Sequence, residues 1–524
     1  MIRVRRLGIA LFMLAIGIVL LTQPNLNTED RVRAEAPARA SNSSSKYYFP
    51  FITKNFTLTV ARLWRFGVDR VRRPISAYNS IDVAAMRLGW YVDFAVSATP
   101  EALYGMEYLP TVRVKQWKEQ AGGTPTLCCV GCAYLNPPSY TIWPSLSQIQ
   151  SVAASRPGMT WAVGNEMDRI DWGGLGGGCA RQDEMLPEVY AQAYHDVYAA
   201  IKGADRTAQV AIGALVQPSP LRIKYLQRVW DKYDQLYGNG RVNTMPVEVW
   251  NIHVYVYNEK DCDVYPADCW GADIPAGLTE TVGSVYRIRD HKNFNLAAQM
   301  LVGWRTWMKN HGQQNKPLIT NEYGVVFPEW VQDPPGVTTF SPPQIRDEFM
   351  YPSFTYFLNQ TDPNLGFATD GNRVMQRWAW YSMDYDDGEC DQQDGKFYPD
   401  NSGNLFYSGL GPSLPPTNCP YPWQGRSPFW TYWTQYVQPL PAGSIKPYAP
   451  ASVASAPQPS NAPQKSAVSA AVLMNVANAP ECSDSPAVCA RLFQTLPGRD
   501  TPEGQRAWIT ALSKLTAGTR ICLP

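Results

Sequence analysis

Two hydrophobic rhythms alternate along the chain. Short, nearly unbroken apolar runs at 88–94, 108–114, 160–166, 209–213, 247–253, 317–322 and 374–382 read as strands buried on both faces. Between them lie longer stretches with apolar residues on one helical face. In the clearest of these, 187–202, Val189, Ala193, Val197 and Ile201 recur every fourth residue. Further helices are expected over 145–154, 221–237, 295–310 and 344–359. Strand followed by helix, repeated, predicts a parallel sheet covered by helices. The expected class is α/β, a (β/α)8 TIM barrel with long loop insertions. Such a barrel needs eight strands. The missing one is expected within 57–69 or near 124–134, and 117–157 follows no clear rhythm.

Outside this region the pattern changes. Arg3, Arg5 and Arg6 precede the apolar run Leu7 to Leu21, and residues 22–45 are polar. Segment 1–45 is therefore expected to be an export signal or amino-terminal membrane anchor followed by a flexible leader. Ala34-Glu35-Ala36 and Ala38-Arg39-Ala40 are the candidate cleavage sites. Residues 46–439 form the expected catalytic domain, 440–480 an Ala/Pro/Ser-rich linker, and 481–524 a small piece with Cys482, Cys489 and Cys522. The expected location is secreted or cell-surface. Eleven cysteines cannot all pair within the chain. Export favours disulfides over a zinc or redox site for Cys128, Cys129 and Cys132, and makes Cys262 with Cys269 the simplest pair. Cys390 with Cys419 is another candidate pair.

A net charge of +1 without a basic block past the amino terminus argues against nucleic acid as a partner. Four histidines and no His-x-His disfavour a metal hydrolase, and no metal or other cofactor is expected. Neither Gly-x-Ser-x-Gly nor a phosphate-binding glycine loop occurs between a strand and a helix. Eighteen Trp and 29 Tyr supply flat faces suited to sugars, although most such residues are expected in the core.

Two apolar runs end alike, in Gly164-Asn165-Glu166 and in Thr320-Asn321-Glu322-Tyr323-Gly324. Barrel active sites gather at the carboxyl ends of the strands, so two glutamates three strands apart face one cleft. A glycosidic oxygen leaves well only when protonated, and the sugar carbon then needs an anion on its opposite face. Retaining glycosidases place the two carboxyl groups ~5–5.5 Å apart. His253 and Tyr255 end the strand between the two glutamates and are expected at the same mouth. Arg113 is a candidate partner for Glu322, and Trp90 and Asp93 are candidate sugar contacts.

The two Asn-Glu endings, with Trp380 on the last strand, resemble the signatures of the clan A glycoside hydrolases. More loosely, 86–440 resembles the bacterial glycosyl hydrolases related to the Asl1-like group. The resemblance implies that Glu166 is the protonated acid/base and Glu322 the nucleophile. It further implies that Asn165 donates to a sugar 2-hydroxyl and that Trp380 is a platform under the sugar. The chain departs from the clan pattern at Asn321, where a small residue is common. The functional expectation is a retaining glycoside hydrolase acting on a poly- or oligosaccharide. Its rival is a non-catalytic carbohydrate-binding or adhesion protein on a hydrolase-like barrel.

Overall fold

The computed structural model describes residues 62–70, 73–127, 129, 131–170, 182–268, 270–385, 403–407 and 425–441, with short strands at 389–390 and 397–398. The export or anchor segment 1–45, the glycine-rich stretch 173–178, nearly all of the linker 440–480 and the tail 481–524 lie outside the described residues. So do Cys128, Cys179, Cys269 and Cys419.

The strand missing from the sequence pattern is β1, Leu63–Asp69, within the first of the two proposed stretches. Helix α1, Ser80–Ala85, and strand β2, Leu88–Val92, follow. The expected strand at 108–114 is split by Pro110 into β3, Glu107–Leu109, and β4, Thr111–Gln116. A proline cannot donate to a strand ladder, and the chain turns from one neighbour to the next at that point. The stretch without rhythm forms β5, Lys118–Glu119, β6, Pro125–Thr126, and β7, Ala133–Tyr134, a small antiparallel sheet. Strand β8, Tyr140–Trp143, then runs antiparallel to β4. Here Cys129 and Cys132 form a disulfide. Cys262 is also disulfide-bonded.

From there strand and helix alternate. Helix α2 is Leu146–Ser155, strand β9 Thr160–Asn165, helix α3 Pro187–Ala204, and strand β10 Gln209–Ala214. Helix α4, Pro220–Tyr237, precedes strand β11, Trp250–Asn251. Helix α5, Phe294–Asn310, leads into strand β12, Leu318–Tyr323. The helix expected over 344–359 begins at Pro342–Ile345, passes through a π turn at Arg346–Met350 and ends as α6, Tyr351–Asn359. Strand β13 is Arg377–Trp380, and α7, Pro428–Val437, closes the described chain.

The helix starts are written locally. Ser145 and Gln148 form a capping box on α2, and Ser219 accepts from the Arg222 N–H at the head of α4. Each such cap contributes ~1 kcal/mol. The periodic residues of α3, Val189, Ala193, Val197 and Ile201, are all buried.

The sheet is parallel and lies in two runs. One has the order β11-β12-β13-β1-β2-β3, and the other contains β10-β9-β4, with β8 at its edge. The runs meet where β3 passes into β4 through Pro110, whose carbonyl accepts from Ala162 of β9 at 2.9 Å. They meet again where Ala211 of β10 bridges Val249 in parallel, just before β11. Strands β9, β10 and β12 are buried almost end to end, as expected for strands covered on both faces.

Candidate active site

The end of β9 is held in an unusual conformation. Gly164 has φ +94°, and a Cβ there would sit 2.5 Å from the sulfur of Met167. Glu166 follows with φ +51°, a left-handed conformation that costs a non-glycine residue ~1 kcal/mol or more. Backbone contacts hold it there. Its N–H donates to Ala214 O at 2.8 Å, and its own carbonyl accepts from Arg169 N–H at 3.1 Å. One residue earlier, Asn165 exchanges bonds with Asp183: its N–H donates to Asp183 Oδ2 at 2.9 Å, and its carbonyl accepts from Asp183 N–H at 2.9 Å. Glu166 is therefore aimed by its neighbours on both sides.

Two further side chains, His253 and Arg169, meet it, and Tyr255 holds Glu322 beside it. His253 Nδ1 lies 3.1 Å from Glu166 Oε1, and its Nε2 lies 3.7 Å from Glu322 Oε2. The Tyr255 hydroxyl donates to Glu322 Oε1 at 2.9 Å. Arg169 Nη1 stands 3.3 Å from Glu166 Oε2. Glu166, His253, Tyr255 and Glu322 are all buried. One polar atom from each of Glu166, His253 and Glu322 falls within 4.8 Å of the other two. The strand arithmetic places the glutamates at one mouth, and the imidazole spans the gap between them.

The two carboxyl groups differ electrically. Burial pushes Glu166 up, but the Arg169 cation and His253 outweigh it, and the group stays below its ordinary value. For Glu322 burial dominates, Glu166 adds repulsion, and His253 and Tyr255 only partly oppose them; its pKa rises to about 7. Burial lowers the His253 imidazole, yet the two glutamates beside it raise it overall. This balance runs against the protonated state expected of Glu166. The reason is Arg169, a cation one turn beyond Glu166 that the strand pattern did not register.

Several other expected contacts are also redirected. Arg113 does not serve Glu322: its Nη2 pairs with Asp183 Oδ1 at 2.8 Å. It thus bears on the site through Asp183, which accepts from the Asn165 and Val114 N–H groups. Trp90 is a core residue. Its indole donates to Arg65 O at 3.1 Å, and the Arg377 guanidinium covers its ring at 4.8 Å. It lines a cavity of about 210 Å3 with Glu107, Thr160 and Arg377, each the first residue of its strand, so it lies toward the amino ends. Asp93 pairs with Arg70 and accepts from the Tyr108 hydroxyl at 2.7 Å. Trp380 packs on the helix side, edge-on to Tyr323 at 5.3 Å and to Phe354 at 6.2 Å, and donates to Gly403 O at 2.6 Å. Strand alternation explains it: Trp378 packs on Phe66 and Phe357 of the same layer, so Ala379 and Tyr381 take the other face.

The sequence pattern missed Asp69, Arg169 and Tyr381. Asp69 had the same signature as the glutamates, since Phe66-Gly67-Val68-Asp69 is an apolar run ending in an acid. Arg169 and Tyr381 carry no such mark; one follows Glu166 by a turn, and the other follows a more conspicuous tryptophan.

Glu166, His253 and Glu322 also form the one group among the described residues compact enough for a metal ion. Their atoms are already turned toward one another, and the Arg169 guanidinium beside Glu166 opposes a second cation.

No family model matches the chain, and no curated protein does. Among solved structures it is similar to an endo-laminarinase from Formosa Hel1_33_131, at 13% identity over 67% of this chain and 85% of that one, with TM-score 0.36. It is similar to a family 39 glycoside hydrolase from Bacteroides cellulosilyticus WH2, at 10% identity over 72% of this chain and 63% of that one, with TM-score 0.34. A monomeric beta-xylosidase from Caulobacter crescentus CB15 gives 12% identity over 72% of this chain and 68% of that one, with TM-score 0.31. The narrower Asl1-like likeness finds no match. Because the likeness is this distant, function is inferred from the side chains of the site.

Proposed function

We propose that the chain is an exported retaining glycoside hydrolase on a (β/α)8 barrel, acting through Glu166 and Glu322. The observation that carries this reading is the buried Glu166–His253–Glu322 bridge, whose polar atoms lie within 4.8 Å of one another. That spacing suits double displacement and leaves too little room for the water an inverting pair must hold. A pure sugar binder has no need of two buried carboxyl groups at this distance.

In the forward assignment Glu322 attacks the anomeric carbon, while Glu166 gives a proton to the departing oxygen and later takes one from water. Glu322 must then be ionised and Glu166 protonated, the reverse of their electrostatic preference in this site. His253 connects them. Its Nε2 accepts the Glu322 proton while Nδ1–H is delivered to Glu166, so the imidazole ends neutral and the negative charge passes from Glu166 to Glu322 with the total unchanged. The high pKa of Glu322 favours a second assignment with the two roles exchanged.

Azide rescue separates the assignments. In the forward case Glu322→Ala with azide yields a glycosyl azide of inverted configuration, and Glu166→Ala yields one of retained configuration. Exchanged products reverse the roles. Wild-type chain that binds glycans yet turns over none across a broad panel of aryl glycosides and oligosaccharides sinks the enzyme reading. First-formed product of inverted configuration sinks only the retaining mechanism.

A further inference from the structure

The carboxyl end of β1 holds an acid that no step above uses. Asp69 is the last residue of that strand and is fully buried; its main-chain oxygen accepts from Met383 N–H at 2.8 Å. Neither of its carboxyl oxygens has a hydrogen-bond partner among the described residues. Burying such a group without a partner costs ~1–3 kcal/mol or more.

The register says what it faces. Val68 pairs with Trp380, and Trp380 with Tyr323. Trp380 and Tyr323 pack toward the helices, where Phe349 lies against both. One position on from Val68 and Trp380, and one position back from Tyr323, the side chain turns to the opposite face; the register of β12 shifts between Thr320 and Tyr323, and the Tyr255 bond fixes where Glu322 points. Three neighbouring strands therefore present Asp69, Tyr381 and Glu322 together. The Tyr381 hydroxyl and Glu322 Oε2 likewise have no partner among the described residues, and both side chains are buried. Their proximity is also electrical: after burial itself, the Glu322 charge pushes the Asp69 carboxyl well above its ordinary value. The Tyr381 phenol is pushed up by burial first and then by neighbours that include both acids.

Resting on the glycosidase reading, we propose that Asp69 and Tyr381 form the hydroxyl-binding wall of the sugar subsite beside Glu322, a wall that accepts neutral sugars and rejects uronic acids. The Asp69 carboxylate accepts from sugar hydroxyls, whose bonds favour its charged form, and the Tyr381 phenol donates or accepts, so each can pair with a sugar hydroxyl. A uronate carboxylate adds a like charge in a site that excludes water. At ~4 Å that repulsion is on the order of 4 kcal/mol. The Arg169 cation, which could have offset it, is held at Glu166 and at Gly271 O, 3.2 Å away.

The full chain is assayed on matched aryl glycosides, neutral hexosides and pentosides against hexuronides. Wild type is expected to cleave a neutral glycoside at least ~100-fold faster by kcat/KM than any uronide. Asp69→Asn keeps the shape and removes the charge. It should lower kcat/KM on the neutral glycoside ~tenfold, chiefly through KM, and raise the uronide-to-neutral ratio at least ~tenfold. Tyr381→Phe should raise KM for neutral glycosides and leave that ratio unchanged. If Asp69→Asn does not fold, the wild-type ratio and the Tyr381→Phe KM decide the matter. A wild type that prefers uronides, an unchanged ratio in Asp69→Asn, or an unchanged KM in Tyr381→Phe overturns the wall while hydrolysis stands. Failure of wild type on every aryl glycoside overturns the glycosidase reading beneath it.

Discussion

Two buried charge clusters follow opposite rules. Around Arg222 the guanidinium is closed off. Its Nη1 donates to Asp168 Oδ2 at 2.7 Å, its Nε to Glu259 Oε1 at 3.0 Å, and its Nη2 to the carbonyls of Ala272 and Asp273. Ser219 adds a bond to Glu259 at 2.6 Å. Around Glu322 the arrangement is open: Glu322 Oε2, His253 Nε2, both Asp69 oxygens and the Tyr381 hydroxyl have no hydrogen-bond partner among the described residues. Both clusters are costly to bury. The first offsets its cost with fixed partners and holds the loop after Glu166 against α4. The second leaves several polar atoms uncommitted in one place, whereas in the first only Asp168 Oδ1 lacks a hydrogen-bond partner among the described residues.

The largest expected effect tests this contrast directly. Glu322→Gln should lower turnover by ~10^4-fold or more while the chain stays folded, since the amide oxygen can still accept from Tyr255 and Oε2 has no hydrogen bond to lose. Arg222→Met should do the opposite: it leaves Asp168 and Glu259 buried without their cation and should cost ~3–5 kcal/mol in denaturant unfolding. If Arg222→Met is as stable as wild type, the contrast is wrong. His253→Gln should lower kcat by ~10^2-fold and change the pH profile, a signature that a packing residue does not give.

A fourth test uses pH. The Glu322 carboxyl is raised to about 7 in the folded chain, above the ~4.3 of an exposed glutamate. Between these values the folded chain holds a proton that the unfolded chain lacks. Acidification from pH 7 toward ~5 should therefore add stability, by up to ~2 kcal/mol, and that gain is lost as pH rises through 7. Melting temperatures of wild type and Glu322→Gln across pH 5–8 check the sign, because the variant should lack this component. The smallest expected effect is that of Trp90→Phe. It should leave KM for any substrate within ~twofold and appear as a modest loss of stability, because the ring lies toward the amino ends of the strands.

Periodicity revealed the architecture wherever one residue type repeats a rule. The helices over 187–204 and 220–237 and the runs ending at Glu166 and Glu322 could be read because burial on both faces leaves no polar interruption. It failed where the rule is non-local. The strand at 247–253 shrinks to Trp250–Asn251 because Val249 and Val254 make only isolated bridges to their neighbours. The roles expected of Trp90, Arg113 and Trp380 depend on which way a side chain turns, and strand alternation fixes that only once the register is known. The proton balance was equally hidden, since Arg169 reaches Glu166 through a loop rather than a repeat.

The left-handed backbone at Glu166 has a consequence for laboratory evolution. Glycine adopts that conformation without strain, and one nucleotide change converts a glutamate codon to a glycine codon. Against that relief of ~1 kcal/mol stands Arg169, which Glu166→Gly would leave buried without its carboxylate at a cost of ~3–5 kcal/mol. A library selected only for heat resistance should therefore keep the glutamate, so its retention there is no sign that turnover has survived.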